Sequence, residues 1–421
     1  MDILLIIITL IITIQSFYSL YLLIYSWNDE NTLSYISPPL VNEKPKKTFS
    51  IILPAYEEEF IADTIISLAR FDYPQELFEI LIALRAEDSK TINITKQTIS
   101  VLNSKGYNNL KIVLVHDPIR NKPTQLNEAL TIAKNEVVAV FDAEDEPKLN
   151  LLLITNTLML REKLDVVQFP VQLININSKW FSLLNAMEYY FWFRSSLPAF
   201  ASKGLLPLAG NSLFINSTLL KENNGWDQNC LTEDAELGLR LSVQNARFKV
   251  VYDPLIATHE ETPLSVDSFI AQRTRWNQGF IQILLGFKWL KLDSITKKLN
   301  FIYILIWPIL QINIFIILLF LLLFFTNLKV NIIVSIFSII PLFILSIQLI
   351  VVNIGIYKFH EEFRLKYSVL YILKSLITFF PYQLILLYSS FVSIIKFISK
   401  NNKWNKTKHN NAHRNINLYN N

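Results

Sequence analysis

The chain has 421 residues, of which 52% are hydrophobic and only 18% are charged, and its net charge is +4. This composition is too apolar for an ordinary soluble enzyme and too mixed for a pure membrane bundle. The small net charge gives no electrostatic surface for nucleic acid. The single cysteine, Cys230, excludes an internal disulfide framework and a cysteine-based metal site.

The first apolar run, residues 3–25, is long enough to cross a bilayer core of about 30 Å. A cleaved signal peptide is the alternative, but such peptides begin with Lys or Arg, whereas this run follows Asp2 and precedes no small-residue cleavage site. We therefore predict a retained anchor over residues 1–28. The lysines that follow it, Lys44, Lys46 and Lys47, place the next domain in the cytoplasm by the positive-inside rule.

The middle of the chain alternates short apolar runs with stretches of helical spacing. Strands are predicted at 48–54, 79–84, 110–115, 137–141 and 164–169, and helices at 58–70 and 123–134. Strands that are apolar throughout and alternate with helices predict an α/β domain whose parallel sheet is covered on both faces. Ligands of such sheets bind beyond the carboxyl ends of the strands. Acidic residues follow three of these strands, which predicts a site there.

The loop FDAEDEP, residues 141–147, carries Asp142 and Glu144 two positions apart. In an extended segment the two side chains point to the same side. Mg²⁺ typically takes one or two carboxylates and lets substrate phosphates complete its shell, so this pair could hold one divalent cation. A solvated acidic turn is the alternative reading of an isolated D-x-E. The position after a buried strand favours the metal.

The stretch TEDAELGLRL begins with paired acids, Glu233 and Asp234, at the predicted start of a helix. A helix N-terminus stabilises negative charge, which favours an ionised Asp234. An ionised carboxylate beside a substrate hydroxyl can act as a general base. Helix capping by Thr232 and the acids is the alternative.

The stretch QRTRW places Gln272, Arg275 and Trp276 within little more than one helical turn. The planar guanidinium suits phosphate oxygens, and the indole suits stacking on a sugar ring. Residues 263–290 also have the pattern of an amphipathic helix resting on a membrane surface. Both interpretations can hold at once.

Three further apolar segments lie near residues 299–325, 331–357 and 369–398. If all three crossed the membrane, the basic tail at 399–421 would lie outside, against the positive-inside rule. We therefore predict that one segment, within 366–398, is interfacial or re-entrant and that the tail stays in the cytoplasm.

These motifs, in this order, resemble those of the membrane-embedded family 2 glycosyltransferases, which include cellulose synthase, hyaluronan synthase and ceramide glucosyltransferase. The resemblance is closest to a branch with D-A-E-D-x-P in the metal loop, and it covers nearly the whole chain. Its further elements are Lys122 to Leu130, a G-G-W-D match from Asn224 to Asp227 in which Asn224 replaces the first glycine, Glu260-Glu261, and a W-x-K-T-x-H match from Trp404 to His409.

The resemblance implies an α/β, Rossmann-like GT-A domain inserted between N-terminal and C-terminal transmembrane helices in the cell membrane. The expected boundaries are a cytoplasmic GT-A domain at 45–262, interfacial helices at 263–298, membrane segments at 299–398 and the basic tail. It also implies a nucleotide-sugar donor, usually UDP-linked, a polysaccharide or lipid acceptor, membrane lipids around the protein, and Mg²⁺ or Mn²⁺ as cofactor.

The resemblance also implies a role for each matching residue. The nucleotide base and ribose would be held by Ala55, Tyr56, Glu57, Glu87 and Asp88, and the diphosphate by Lys122. The metal would be bound by Asp142 and Glu144. Asp234, beside Glu233, would take the acceptor proton. Arg275 would support the leaving diphosphate, Trp276 would line the acceptor end, and Gln272 of the same motif would also bind substrate. Two departures stand out: Glu144 replaces the second Asp of the metal motif, and RAEDSKT differs from D-D-x-S-x-D.

Three functions remain open from the sequence. The first is a processive polysaccharide synthase. Whether a second subunit completes its export channel is left open by the sequence. The second is a transferase that adds one sugar to a lipid acceptor, as ceramide glucosyltransferase does. The third is a non-catalytic membrane scaffold, against which the intact acids at the strand ends argue.

Overall fold

The computed structural model describes residues 2–27, 32, 35–310, 313, 315–316, 332–400 and 410–415. The strands are β1 Phe49–Ala55, β2 Phe78–Arg85, β3 Leu110–Val115, β4 Val137–Val140, β5 Val166–Gln168, β6 Val171–Leu173, β7 Leu213–Asn216, β8 Phe248–Val250 and β9 Thr258–Glu260. All five predicted strands are present. Seven strands form one sheet in the order β3-β2-β1-β4-β7-β5-β8, and β6 and β9 pair as a small second sheet.

The helices surround these sheets and extend beyond them. They are α1 Asp2–Ile24, α2 Ile61–Ala69, α3 Ser89–Ser104, α4 Lys122–Ile132, α5 Leu151–Glu162, α6 Ser182–Phe191, α7 Leu197–Ala201, α8 Ser217–Glu222, α9 Glu233–Val243, α10 Val266–Leu285, α11 Ile295–Leu305, α12 Trp307–Leu310, α13 Ile332–Glu362 and α14 Leu370–Ile398. A π-helical turn, Trp192–Ser196, joins α6 to α7.

The central strands are buried on both faces, as their apolar sequences predict. Every residue of β1 and β2 is buried. Neighbouring residues of β1 enter opposite cores: Ile51 packs in the cluster that contains α2 and α5 residues, and Ile52 in the cluster that contains α4 and α6 residues. The α/β architecture with a doubly covered sheet is thus confirmed.

The sheet is mixed: the five predicted strands run parallel to one another, as expected, and β7, which the sequence did not predict, runs the other way. β7 runs antiparallel to both of its neighbours, β4 and β5. The chain passes through α6 and α7 before β7, so β7 enters the sheet from the opposite end. Only Leu213, Phe214 and Ile215 are apolar before Asn216 caps α8, so the run is too short to be read as a strand.

Three helices in the described part of the chain are long and apolar enough to cross a membrane: Ile6–Trp27, Ile339–Glu362 and Leu370–Ile398. The first and second of these helices pack together, and Gln348 Nε2 of the second donates to Ser16 O at 3.2 Å and to Ser19 Oγ at 2.6 Å of the first. The predicted segment at 299–325 lies partly outside the described residues.

The last apolar segment, predicted within 366–398 to be interfacial or re-entrant, is one continuous helix, α14. The chain does not reverse direction within this helix, so the re-entrant alternative is wrong. The helix lies along α10, where Asn277 Nδ2 donates to Ser390 Oγ at 3.1 Å, and against α6, where Tyr382 Oη donates to Glu188 Oε2 at 2.7 Å. The C-terminal helix is thus docked on the α/β domain along much of its length.

Candidate active site

One cavity of about 650 Å³ lies beyond the carboxyl ends of β1 and β4 and continues between the candidate membrane helices α1, α13 and α14. It gathers ten of the predicted site residues: Ala55, Tyr56, Lys122, Asp142, Glu144, Glu233, Asp234, Gln272, Arg275 and Trp276. Strand ends, the start of α9 and the middle of α10 therefore converge on one space.

Three predicted nucleotide contacts, Glu57, Glu87 and Asp88, do not line this cavity. Asp88 is buried and caps α3, since its carboxylate accepts from Thr91 N at 3.1 Å and from Glu57 N at 2.6 Å. Glu87 is exposed and pairs with Arg85 at 3.2 Å. The structure gives Asp88 a part in folding the loop after β2, and the nucleotide contact of these acids stays a prediction.

Lys122 stands at the centre of the polar part of the cavity, at the start of α4 behind the N-cap Asn121. Its ammonium forms an ion pair with Asp142 and donates to Gly210 O at 2.8 Å. Burial lowers the pKa of Lys122, but the charges of Asp142 and Glu233 outweigh it and raise that pKa overall. The residue is therefore a permanent cation placed between two groups of acids.

Gly210 marks the point where the metal-loop side and the α9 side of the cavity meet. A Cβ atom at this position would lie 3.0 Å from Asp234 Oδ2 and 3.2 Å from Lys122 Nζ. Because Lys122 also pairs with Asp142, the predicted metal loop and the predicted base face one shared space. Only glycine leaves that space open.

The metal loop is a tight turn and not the extended segment that the sequence suggested. Asp145 N donates to Asp142 O at 3.1 Å, and Asp142 N donates to Asp145 Oδ2 at 2.8 Å. Asp142 and Glu144 nevertheless both line the cavity. The expected extended geometry is wrong, whereas the expected grouping of the two carboxylates at the cavity holds.

The donor set at this loop fits a hard divalent cation, because Asp142 and Glu144 offer carboxylate oxygens to the cavity. Among the described residues, no group of three or more His, Cys, Asp or Glu side chains forms a complete metal cage. A cation held here would therefore draw remaining ligands from water or from substrate phosphates.

Behind the loop lie two acids that the sequence analysis did not assign to the site, Asp145 and Glu260. Asn211 Nδ2 donates to both carboxylates, at 3.0 Å to Asp145 Oδ1. Burial, followed by the charges of Glu144 and Asp142, raises the pKa of Glu260 to about 8. Burial and the Glu260 charge raise the pKa of Asp145 as well. Four carboxyl groups in one place make this region strongly receptive to positive charge.

The paired acids begin α9. Asp234 is half-buried at the cavity wall and accepts from Ala235 N at 2.8 Å, whereas Thr232 makes no side-chain capping bond. Burial raises the pKa of Asp234, and the Ala235 N–H and Lys122 offset part of that rise. Burial and the Asp234 charge raise the pKa of Glu233 to about 7. A raised pKa makes a carboxylate a stronger proton acceptor.

The Q-x-x-R-W residues project from α10 into the cavity. Arg275 Nη1 donates to Leu231 O at 3.2 Å and so braces the loop that leads into α9. In the described part of the chain, Gln272 Oε1 and Arg275 Nε are buried without a hydrogen-bond partner. Buried polar atoms in native proteins are nearly always satisfied, so both atoms are suited to a bound substrate.

A buried polar cluster next to these residues escaped the sequence analysis. The Arg273 guanidinium lies 4.7 Å from the centre of the Trp276 ring and donates to Glu188 and to Asn185 Oδ1 at 2.6 Å. Glu188 also accepts from Tyr382 of α14. The cluster holds Trp276 between the domain and the C-terminal helix. Its members are far apart in the sequence, so no spacing pattern could have predicted their contacts.

The chain is similar in sequence and in fold to known proteins. A family model described as glycosyltransferase-like family 2 matches residues 45–279, more than half of the chain. Beta-monoglucosyldiacylglycerol synthase of Trichormus variabilis is 27% identical over 56% of this chain and 50% of its own length. Poly-beta-1,6-N-acetyl-D-glucosamine synthase of Staphylococcus epidermidis is 25% identical over 61% of this chain and 59% of its own.

The chain thus spans between half and three-fifths of the length of these relatives. Among solved structures, a mannosyltransferase from Pyrobaculum calidifontis, in complex with GDP-Man and Mn²⁺, is 14% identical with a TM-score of 0.54, covering 94% of this chain and 99% of that one. That likeness shows the shared fold. The chain therefore belongs to the glycosyltransferase-like family 2, and its family 2 domain adjoins candidate membrane helices.

Proposed function

We propose that this enzyme transfers a sugar, with inversion, from a nucleotide-sugar donor to an acceptor hydroxyl at the membrane. The observation that carries the proposal is the shared cavity, in which Lys122 and the metal loop face Asp234 across Gly210. The cation and the metal loop on one side suit a diphosphate leaving group, and the half-buried Asp234 carboxylate on the other suits an acceptor hydroxyl.

Asp234 acts as the general base. It takes the proton of the acceptor hydroxyl, whose oxygen forms a bond to C1 of the donor sugar while the bond from C1 to the phosphate oxygen breaks. The nucleoside diphosphate leaves from the opposite face, so an α-linked donor gives a β-linked product. Glu233 lies beside the base and raises the charge density at the start of α9.

Asp142 and Glu144 would hold Mg²⁺ or Mn²⁺, which would neutralise charge on the diphosphate. Lys122 offers a buried ammonium to the same phosphates, and Arg275 supports them from α10. The Trichormus, Staphylococcus and Pyrobaculum proteins act, by their names, on different sugars, so the donor sugar and its nucleotide base are left to experiment.

The acceptor reaches the site from the membrane side. The cavity passes Trp276 and continues between α1 and α13, where polar residues such as Gln15, Ser16 and Gln348 line it. Polar side chains between membrane helices suit hydroxyl-rich chains, and we therefore propose polysaccharide synthesis as the first function. The catalytic domain and the tail then lie in the cytoplasm, and α14 lies at the interface.

A second acceptor class is favoured by other residues of the same wall. Leu22, Leu23, Leu345 and Leu349 also line the membrane part of the cavity. An apolar lining of this kind suits the chains of a lipid that receives a single sugar.

The test is incubation of the purified protein in membranes with Mn²⁺ and a panel of radiolabelled nucleotide sugars. Polymeric product supports polysaccharide synthesis, and a product of one added sugar that extracts with lipid supports the second function. The absence of transfer from every donor would overturn the proposal.

A further inference from the structure

Residues 410–415, near the C-terminal end of the chain, lie against the metal loop. Ala412–Asn415 form a 3₁₀ turn, in which His413 is buried. Asn411 is buried too. This short segment, which we call the tail turn, is thus packed against the α/β domain beside the metal loop.

The Arg414 side chain binds the backbone of the metal loop. Its Nη2 atom donates to Asp145 O at 2.8 Å and lies 3.4 Å from Glu144 O. The same atom donates to Thr64 Oγ1 at 2.6 Å, and Thr64 in turn donates to Ala143 O at 2.5 Å. The carbonyl oxygens of three successive loop residues are therefore held by one arginine and one threonine.

A second contact fastens the tail turn at its other end. The Glu261 carboxylate accepts from the backbone N–H groups of Asn410 and Asn411, at 3.2 Å for Asn411. Glu261 is buried and follows Glu260, which shares Asn211 with Asp145 behind the loop. The tail turn is therefore anchored to the same group of side chains that shapes the loop.

We propose that the tail turn is a latch for the metal loop and that Arg414 is a positioning residue for the divalent cation. By fixing the carbonyls of Glu144 and Asp145, Arg414 holds the turn in which Asp142 and Glu144 face the cavity. Groups that orient metal ligands typically change metal affinity by about 10–100-fold when they are removed. The inference rests on the proposed role of Asp142 and Glu144 as metal ligands.

The test measures Mn²⁺ binding directly, by the loss of the free-ion EPR signal, with the full-length protein in nanodiscs and a nucleoside diphosphate present. Arg414→Gln should weaken Mn²⁺ binding about tenfold, and Arg414→Lys should lie between it and the wild type. Lys400→Gln, which removes an exposed cation from the same end of the chain, should leave binding unchanged. At saturating Mn²⁺, kcat of Arg414→Gln should return close to the wild-type value.

Two outcomes overturn the latch, and they differ in what else they overturn. Normal Mn²⁺ binding in Arg414→Gln together with lost binding in Asp142→Asn would disprove the latch and leave the metal site standing. Normal binding in both variants would disprove the metal site itself, and the latch with it. If Arg414→Gln lowers the thermal transition so far that it cannot be assayed, the Arg414→Lys variant decides: unchanged Mn²⁺ affinity there contradicts the proposal.

Discussion

Lys122 and Asp142 form an ion pair at the centre of the cavity, although they come from different loops of the domain. The lysine is the first residue of α4, and the aspartate follows β4, so the pair joins a helix start to a strand end. The same ammonium faces the acids of α9 across Gly210. It is thus the group through which the two halves of the site are electrostatically connected.

Replacing Lys122 with Met should weaken the binding of a nucleoside diphosphate by about 10–100-fold, because hydrogen bonds to charged groups contribute about 1.5–3 kcal/mol. Titration calorimetry with the purified protein measures this. The matched control is Lys111→Met, which removes an exposed lysine of β3 that lies 3.8 Å from Glu79. Equal affinities in the two variants would show that Lys122 does not contact the diphosphate.

The rate of transfer should fall as the pH is lowered, with a midpoint above the usual range of an aspartate. The base must be deprotonated to accept the acceptor proton, and burial raises the pKa of Asp234. Glu233, with its pKa raised to about 7, titrates in the same region, so the two acids share one profile. Glu233→Gln should leave a single acidic limb that belongs to Asp234. A rate that stays constant down to the ordinary carboxylate range would contradict this.

Gly210→Ala should reduce kcat by about tenfold while the protein still folds, since a displacement of about 1 Å can cost roughly 100-fold and the contacts here require a smaller shift. The added methyl would press on the Asp234 carboxylate and on the Lys122 ammonium. Gly286→Ala is the control, because Gly286 is exposed, has a helical φ of −73°, and a Cβ there meets two backbone oxygens at 3.3 and 3.4 Å. Stopped assays of initial rate at saturating donor compare the two, and full activity in Gly210→Ala would refute the crowded geometry.

Tyr382→Phe should raise the KM for the acceptor and leave the KM for the donor unchanged. The tyrosine of α14 donates to Glu188, which holds Arg273 beside the Trp276 ring at the acceptor end of the cavity. Tyr388→Phe alters an exposed tyrosine of the same helix and serves as the control. If Tyr382→Phe changed only the KM for the donor, the cluster would act on donor binding, and its proposed role at the acceptor end would be wrong.

The α/β fold and the cavity acids were predictable because their signals are local. Apolar runs such as 110–115 and 137–141 match the observed strands closely, and Asp142 and Asp234 stand next to elements whose periodicity is clear. Acids that follow neighbouring parallel strands must meet at one edge of the sheet. Sequence spacing and the family resemblance together therefore identified ten residues that line one cavity, and their roles stay predictions.

The remaining features depend on contacts between distant parts of the chain. Glu188, Arg273 and Tyr382 lie on three different helices, and Arg414 reaches Thr64 across most of the sequence. The extended metal loop was mispredicted because the hydrogen bond from Asp142 N to the Asp145 side chain, which closes the turn, has no periodic signal. The antiparallel β7 was missed because its apolar run is short.

The role of Asp234 is the central claim, and Asp234→Asn tests it most directly when transfer and donor binding are measured on the same sample. The amide keeps the size of the side chain but cannot take a proton from the acceptor. Transfer should fall by about 10²–10⁴-fold, the usual contribution of a general base, while the dissociation constant of the donor with Mn²⁺ stays the same. Sugar transfer by the variant at a rate close to that of the wild type would contradict the account.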